Sequence, residues 1–123
     1  MQQMATSSTR AFVFEVDNER YSAQVTALGH CFLVWIGQKR AVDSTAFGFS
    51  SDASVDRSSS MLVFGQRDAK AHLLEKFTGL LSKKLPNKQV IVSTDLTTEA
   101  AEKWQHIERA VIKDIEENRA FYM

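Results

Sequence analysis

Three histidines and one cysteine are the residues of this 123-residue chain best suited to catalysis or metal binding. His30 and Cys31 are adjacent, which suggests a cysteine nucleophile with its general base. Neighbouring residues of an extended strand point to opposite faces, so these two side chains cannot meet within one strand. Cys31 also opens an apolar run, where an inert buried thiol is much more common than a reactive one. We therefore expect no nucleophilic site here.

Metal and cofactor sites also lack the residues that they need. A metal requires three or four converging ligands, and neither a His-x-x-x-His nor a Glu-x-x-His spacing occurs. His72 and His106 are accordingly predicted to be surface histidines. A single cysteine excludes an internal disulfide and a cysteine-based zinc site. The five glycines are scattered and none opens a helix, so the sequence offers no phosphate-binding loop and predicts no cofactor.

The acidic pairs and the net charge also argue against enzymatic or nucleic-acid function. Glu116 and Glu117 lie near Lys113 and Arg119 at helical spacing, which is typical of a solvated helix face. Fifteen Lys and Arg balance fifteen Asp and Glu, and such a neutral chain lacks the basic surface of a nucleic-acid-binding protein. No apolar run approaches the roughly 20 residues that cross a membrane. We predict a non-enzymatic protein of the cytoplasm, with the nucleus as an additional location.

The charges are distributed unevenly between two helical segments. Residues 67–88 contain six bases and two acids, whereas residues 89–123 contain four bases and seven acids. Two explanations are open. Either the two helices attract each other across their exposed sides, or the basic helix is an edge that docks on an acidic partner protein.

The first half of the chain has the two-residue period of β-strands. Residues 12–16 and 21–27 alternate between apolar and polar side chains, and the apolar run 31–37 follows after a glycine turn. Short turns join these three segments, which predicts an antiparallel meander. A fourth strand is expected at 44–50, a loop at 51–58, and a fifth strand at 61–64.

Beyond residue 65 the period changes to that of helices. Apolar residues recur at helical spacing between 73 and 81, in a helix that Asp68 could cap and that Pro86 ends. A sixth strand is expected at 90–92. Residues 95–98 offer several N-caps for a last helix, on which Trp104 and Val111 mark the apolar side.

This order of elements predicts an α+β fold, with a six-stranded, mainly antiparallel sheet and two helices on one face. A single domain spans residues 10–123, after a poorly ordered segment at 1–9. The third, fifth and sixth strands are apolar on both faces, but two helices cover only one of them. Soluble monomers rarely expose such a face. The first two strands could curl over it, or a partner's sheet could stack on it, and the pattern favours the partner.

Three segments resemble the proteasome assembly chaperone 4 family. The apolar strand at 32–37, in which Trp35 precedes Ile36 and Gly37, is similar to that family's tryptophan-containing strand. Residues 87–93, entered from a helix rich in Leu and Lys, resemble its penultimate strand, and residues 107–121 resemble its terminal helix. Length and element order also agree, so the resemblance spans nearly the whole chain. The N-terminal strand and the serine-bearing loop are the exceptions.

The resemblance implies a non-catalytic chaperone that pairs with a proteasome assembly chaperone 3-like subunit. Such pairs associate with proteasome α-type subunits, chiefly α5, and promote formation of the α-ring of the 20S core particle. In the family, two six-stranded sheets stack face to face, which would supply the missing layer. A homodimer of the isolated chain is a further expectation. The alternative function is that of a longin- or roadblock-like interaction adaptor, which also dimerises without chemistry.

The uncovered sheet face is the expected dimer interface. Phe47 and Phe49 share one face of the fourth strand. The pattern leaves two sets open on the third strand: Phe32, Val34 and Ile36, or Leu33 and Trp35. A tryptophan more often finds a partner for its N–H in a core under helices. We therefore assign the first set to the interface, together with Phe47 and Phe49.

Overall fold

The computed structural model describes residues 7–50, 58–65, 69–96 and 102–122. Its elements are β1 (Ser7–Val16), β2 (Glu19–Leu28), β3 (Cys31–Gly37), β4 (Ser44–Ser50), β5 (Ser58–Phe64), α1 (Ala69–Lys84), β6 (Gln89–Thr94), α2 (Trp104–Glu117) and α3 (Arg119–Tyr122). β1 begins at Ser7, so residues 7–9 of the segment expected to be poorly ordered form part of the sheet. Residues 1–6, residues 51–57 of the predicted serine loop, and the predicted cap Asp68 lie outside the described residues.

The strands form one sheet in the order β1-β2-β3-β6-β4-β5. β1, β2 and β3 form the predicted antiparallel meander, because tight turns join each strand to the next. β6 lies between β3 and β4, parallel to β3 and antiparallel to β4. β4 and β5 form an antiparallel hairpin at the other edge. The predicted α+β fold, with a mainly antiparallel six-stranded sheet, is confirmed.

The core lies between one face of the sheet and the two long helices. α1 buries Leu74, Phe77 and Leu81, and α2 buries Trp104 and Val111, as their spacing predicts. The rings of Phe77 and Trp104 lie 5.6 Å apart and join the two helices. Burying each large apolar side chain contributes about 1.5–3 kcal/mol, so this layer is the main source of stability.

The helix boundaries agree only in part with the sequence signals. α1 ends at Lys84, two residues before Pro86, as predicted. α2 begins at Trp104 with Lys103 as its N-cap residue, so the expectation of an N-cap within residues 95–98 is wrong. Asp95 instead accepts backbone N–H groups of the loop that follows β3. A short polar side chain satisfies orphan backbone donors of a loop as readily as those of a helix.

One buried carboxylate connects the edge strand β1 to the helices. Asp114 of α2 accepts hydrogen bonds from Nε and Nη2 of Arg10, at 2.8 and 2.5 Å. The hydroxyl of Tyr122 and the amide of Asn118 also donate to it, at 2.8 and 3.1 Å. Each oxygen of the buried carboxylate therefore has two donors, which offsets the cost of removing it from water.

Candidate interaction surface

The structure shows which face of β3 the helices cover. Phe32, Val34 and Ile36 point into the core, and each is at most 4% exposed. The ring of Phe32 lies 5.7 Å from that of Tyr122, on the helical side of the sheet. Assigning these three residues to the uncovered face is therefore wrong. Leu33 and Trp35, the other set, lie on the opposite face.

The surroundings of the two tryptophans explain the error. Nε1 of Trp35 donates a hydrogen bond of 2.7 Å to the carbonyl of Ala41, in the loop at 38–43. Trp104 lies in the core, yet its Nε1 has no hydrogen-bond partner among the described residues. A nearby loop can thus satisfy an indole N–H outside the core, so the need for a partner did not decide where Trp35 lies.

We call the sheet face opposite the helices the open face. Its centre is an apolar row of cross-strand neighbours on four strands: Leu33 of β3, Ile91 of β6, Phe47 of β4 and Met61 of β5. Phe49 lies beside this row, on the same face of β4. Leu33 and Phe49 are each 38% exposed, and Met61 is 58% exposed. Phe47 and Phe49 therefore lie on the open face, as predicted. The use of the open face as a dimer interface stays a prediction.

The half of the open face formed by β1 and β2 is mostly polar, and its charges lie at one end, where Glu15 of β1 pairs with Arg20 of β2. Thr9 pairs with Thr26, and their hydroxyl groups lie 3.2 Å apart. Ala11 pairs with Gln24, which in turn faces Trp35 of β3. Apart from this terminal pair, the residues named on the strands of the open face carry no charge. Such a surface can be desolvated at little electrostatic cost.

A β-bulge changes the face of one residue that simple alternation assigned to the core side. The register pairs Ala46 with Leu62 and Thr45 with Phe64, so Val63 is an additional residue. Phe64 thereby lies opposite Thr45 of the open face, and it is 58% exposed. Strict alternation places Phe64 with Leu62, which is the wrong face.

The residues first considered for chemistry do not converge. Cys31 is half-buried, and burial raises the pKa of its thiol, which reduces the reactive thiolate. His72 and His106 are exposed, as predicted. Within the described ranges no three His, Cys, Asp or Glu residues are grouped so as to hold a metal ion. None of the described helices has the length and apolar character to span a membrane.

The two helices also share a charged groove. Lys76 and Lys83 of α1 and Glu108 of α2 line a cavity of about 300 Å³ beside β5. Burial raises the pKa of Glu108, while the positive charge of Lys76 acts in the opposite direction. This proximity supports mutual attraction of the helices. Docking of the basic helix on an acidic protein stays a prediction.

Comparison with known proteins gives a match at the level of structure. No protein-family model and no curated protein matches the chain. A chain in the crystal structure of a chaperone complex for yeast 20S proteasome assembly superposes with a TM-score of 0.72. The match covers 89% of this chain and 95% of that chain, at 9% sequence identity. The two chains share a fold.

The sequence predicted only part of the open face. Sequence reasoning identified the face of β4 from the alternation of Thr45, Phe47 and Phe49. It missed Ile91, Met61 and Phe64, because the short strands β5 and β6 are apolar on both faces and hide any two-residue period.

Proposed function

We propose that this chain is a non-catalytic assembly chaperone of the 20S proteasome core particle, and that it acts as one half of a pair of stacked sheets. The observation that carries this proposal is the open face with its exposed apolar row, in a fold shared with a chain of a proteasome assembly chaperone complex. A sheet uncovered on one apolar side requires a further layer, because water contact with that surface is unfavourable.

The size of the open face fits a stable pair. Six strands at a spacing of about 4.8 Å give a surface roughly 24 Å wide. Stable protein pairs bury about 1,600 Å² in total, or about 800 Å² on each partner. The partner that we propose is a proteasome assembly chaperone 3-like subunit, whose own sheet would cover the row from Leu33 to Met61.

The proposed role is in the early formation of the α-ring. The pair binds α-type subunits, with α5 as the first candidate, and leaves before the core particle matures. Such a protein works in the cytoplasm and nucleus, where core particles are assembled. Loop ends and a charged edge such as α1 remain accessible for this contact when the open face is covered.

Affinity purification of the tagged chain from its own cells tests this function, with mass spectrometry of the recovered proteins. We expect one small partner and α-type subunits, with little mature β-subunit. Stoichiometric mature core particle would instead indicate a resident factor. Recovery of small GTPases or vesicle components without proteasome subunits would contradict the proposal and favour a longin- or roadblock-like adaptor.

A further inference from the structure

The loop at 38–43, beside the end of the open face, is held in a fixed conformation. Asp95, which is 5% exposed, accepts the backbone N–H groups of Gln38, Lys39 and Ala41 at 3.0, 2.7 and 3.2 Å. Gly37 makes this possible, because a Cβ atom there would overlap Oδ1 of Asp95. The glycine at the end of β3 thus admits the carboxylate that organises the loop.

Arg40 occupies a strained position within this loop. Its φ of 60° lies in the left-handed region, which is unfavourable for a residue with a Cβ atom. The bonds from Asp95 to both sides of Arg40 hold the backbone there. Strain that the surroundings maintain is often found where a side chain must be displayed in one place.

The displayed side chain lies at a hollow of the open face. A cavity of about 420 Å³ is lined by Ala11, Ser22, Ala23, Gln24, Trp35, Arg40 and Val42. The bond from Trp35 to Ala41 fixes the indole on one side of it. Arg40 is the only charged residue of the lining, and it forms no ion pair within the described part of the chain. The hollow therefore combines an aromatic wall with one unpaired positive charge.

We propose that this hollow receives an aspartate or glutamate side chain from the partner's stacked sheet, and that Arg40 is its ion-pair partner. This inference rests on the pairing proposed above and adds the chemistry that selects the partner. A guanidinium binds a carboxylate with two parallel hydrogen bonds, and the surrounding aromatic and aliphatic atoms strengthen the pair by excluding water.

A second copy of this chain fits the hollow less well. Among the described strands, the one acidic residue of the open face is Glu15 of β1, which lies across from Arg20 of β2. In a second copy this carboxylate already has a cationic neighbour, so it is a poorer partner for Arg40 than an acid placed elsewhere on a sister subunit's sheet. Arg40 thus favours a sister subunit over self-association.

The test measures binding of the small subunit recovered with the chain, by titration calorimetry of the two purified proteins. We expect Arg40→Glu to raise the Kd by at least about tenfold, as for close charge pairs at interfaces. Arg40→Gln should have a smaller effect in the same direction. Lys39→Glu is the matched control, since it reverses the adjacent loop charge outside the hollow, and should change the Kd less than about twofold.

Two further measurements separate recognition from folding. Arg40→Gly removes the guanidinium but suits the left-handed backbone, so it should weaken binding without lowering the melting temperature. Acidic residues on the partner's sheet are then changed singly to Lys, and one such change should restore binding of the Arg40→Glu chain. Equal effects of Arg40→Glu and Lys39→Glu on the Kd would overturn this inference but not the proposed function. The same holds if no single change on the partner restores binding of the Arg40→Glu chain. Absence of any small partner would overturn the proposed function with it.

Discussion

Asp114 shows how a charged residue can occupy the buried side of a helix. It lies between Val111 and Ile115 on the apolar side of α2 and is nearly buried. Burial disfavours its charged form, but hydrogen bonds from Arg10 and Tyr122 outweigh this, so its pKa is lowered. The sequence signal for such a site is an acid on an otherwise apolar side of a helix.

Asp114→Asn tests this bridge between β1 and α2. At neutral pH we expect a loss of about 2 kcal/mol in unfolding free energy, because Arg10 loses its charged partner but is itself partly exposed to water. The folded pKa is lower than the unfolded value of about 4, so the stabilisation exists above that value and is lost as the pH falls through the folded pKa. The penalty should therefore shrink at pH 3, measured by urea unfolding at both pH values.

Glu116→Gln is the matched control for this prediction. Glu116 is an exposed acid on the same helix. Its replacement should change the unfolding free energy by less than about 0.5 kcal/mol at either pH. An equal penalty for Asp114→Asn at pH 7 and pH 3 would show that shape, and not charge, is what Asp114 contributes.

At the scale of elements, adjacent residues of β3 have different roles, because Val34 packs in the core and Leu33 lies on the open face. Val34→Asp places a charge in the core and should lower the unfolding free energy by more than about 4 kcal/mol. Leu33→Asp places the same side chain on the open face, where it should leave the fold intact. It should nevertheless abolish pairing, since the partner's sheet would desolvate the new charge. Circular dichroism and size-exclusion chromatography with the partner distinguish the two outcomes. Normal pairing of Leu33→Asp would exclude this face as the interface.

The edge strand β5 is protected by a side chain from α1. Oε2 of Glu75 accepts the backbone N–H of Leu62 at 2.6 Å, and Ser60 donates its hydroxyl to the carbonyl of Glu75. Unpaired groups on an edge strand are a template for aggregation. Glu75→Ala should therefore speed amide hydrogen exchange at Leu62 by about tenfold or more, because the loss of one bond worth over 1 kcal/mol opens the edge. Glu75→Gln keeps an acceptor and should exchange more slowly than Glu75→Ala, and equal rates would contradict this protective role.

The sequence was sufficient where one side of an element is polar. The alternation in β2 and β4 and the helical spacing of Leu74, Phe77 and Leu81 predicted both the elements and their buried faces. It was insufficient in β3, where apolar residues on both faces leave two equivalent assignments. The position of β6 also escaped prediction, because strand order depends on contacts between segments distant in the chain. The bulge at Val63 reversed Phe64 for a similar reason, since only the pairing with β4 reveals the additional residue.

At the scale of the whole molecule, charge and surface composition act together. The chain has no net charge and an isoelectric point near 6.8, so long-range repulsion does little to keep copies apart at neutral pH. Its apolar row is meanwhile exposed to solvent. We expect light scattering of the isolated chain to be greatest near pH 7 and to fall toward pH 9, as negative charge accumulates.

The partner and one variant provide the comparison for this prediction. Adding the partner should suppress scattering at pH 7 by covering the open face, and Leu33→Asp should suppress it without the partner. Scattering that is independent of pH and of both treatments would show that the open face does not limit solubility.

The central position of β6 determines when the sheet can be completed during synthesis. Residues 38–88 separate β3 from β6, although the two strands are parallel neighbours. Until residue 94 has been translated, the meander β1–β3 and the hairpin β4–β5 have no strand to join them, and each exposes a bare inner edge. Nascent chains in this interval resemble the intermediates with unpaired edges that aggregate most readily. The chain can thus complete its own sheet only when about three-quarters of it has been made.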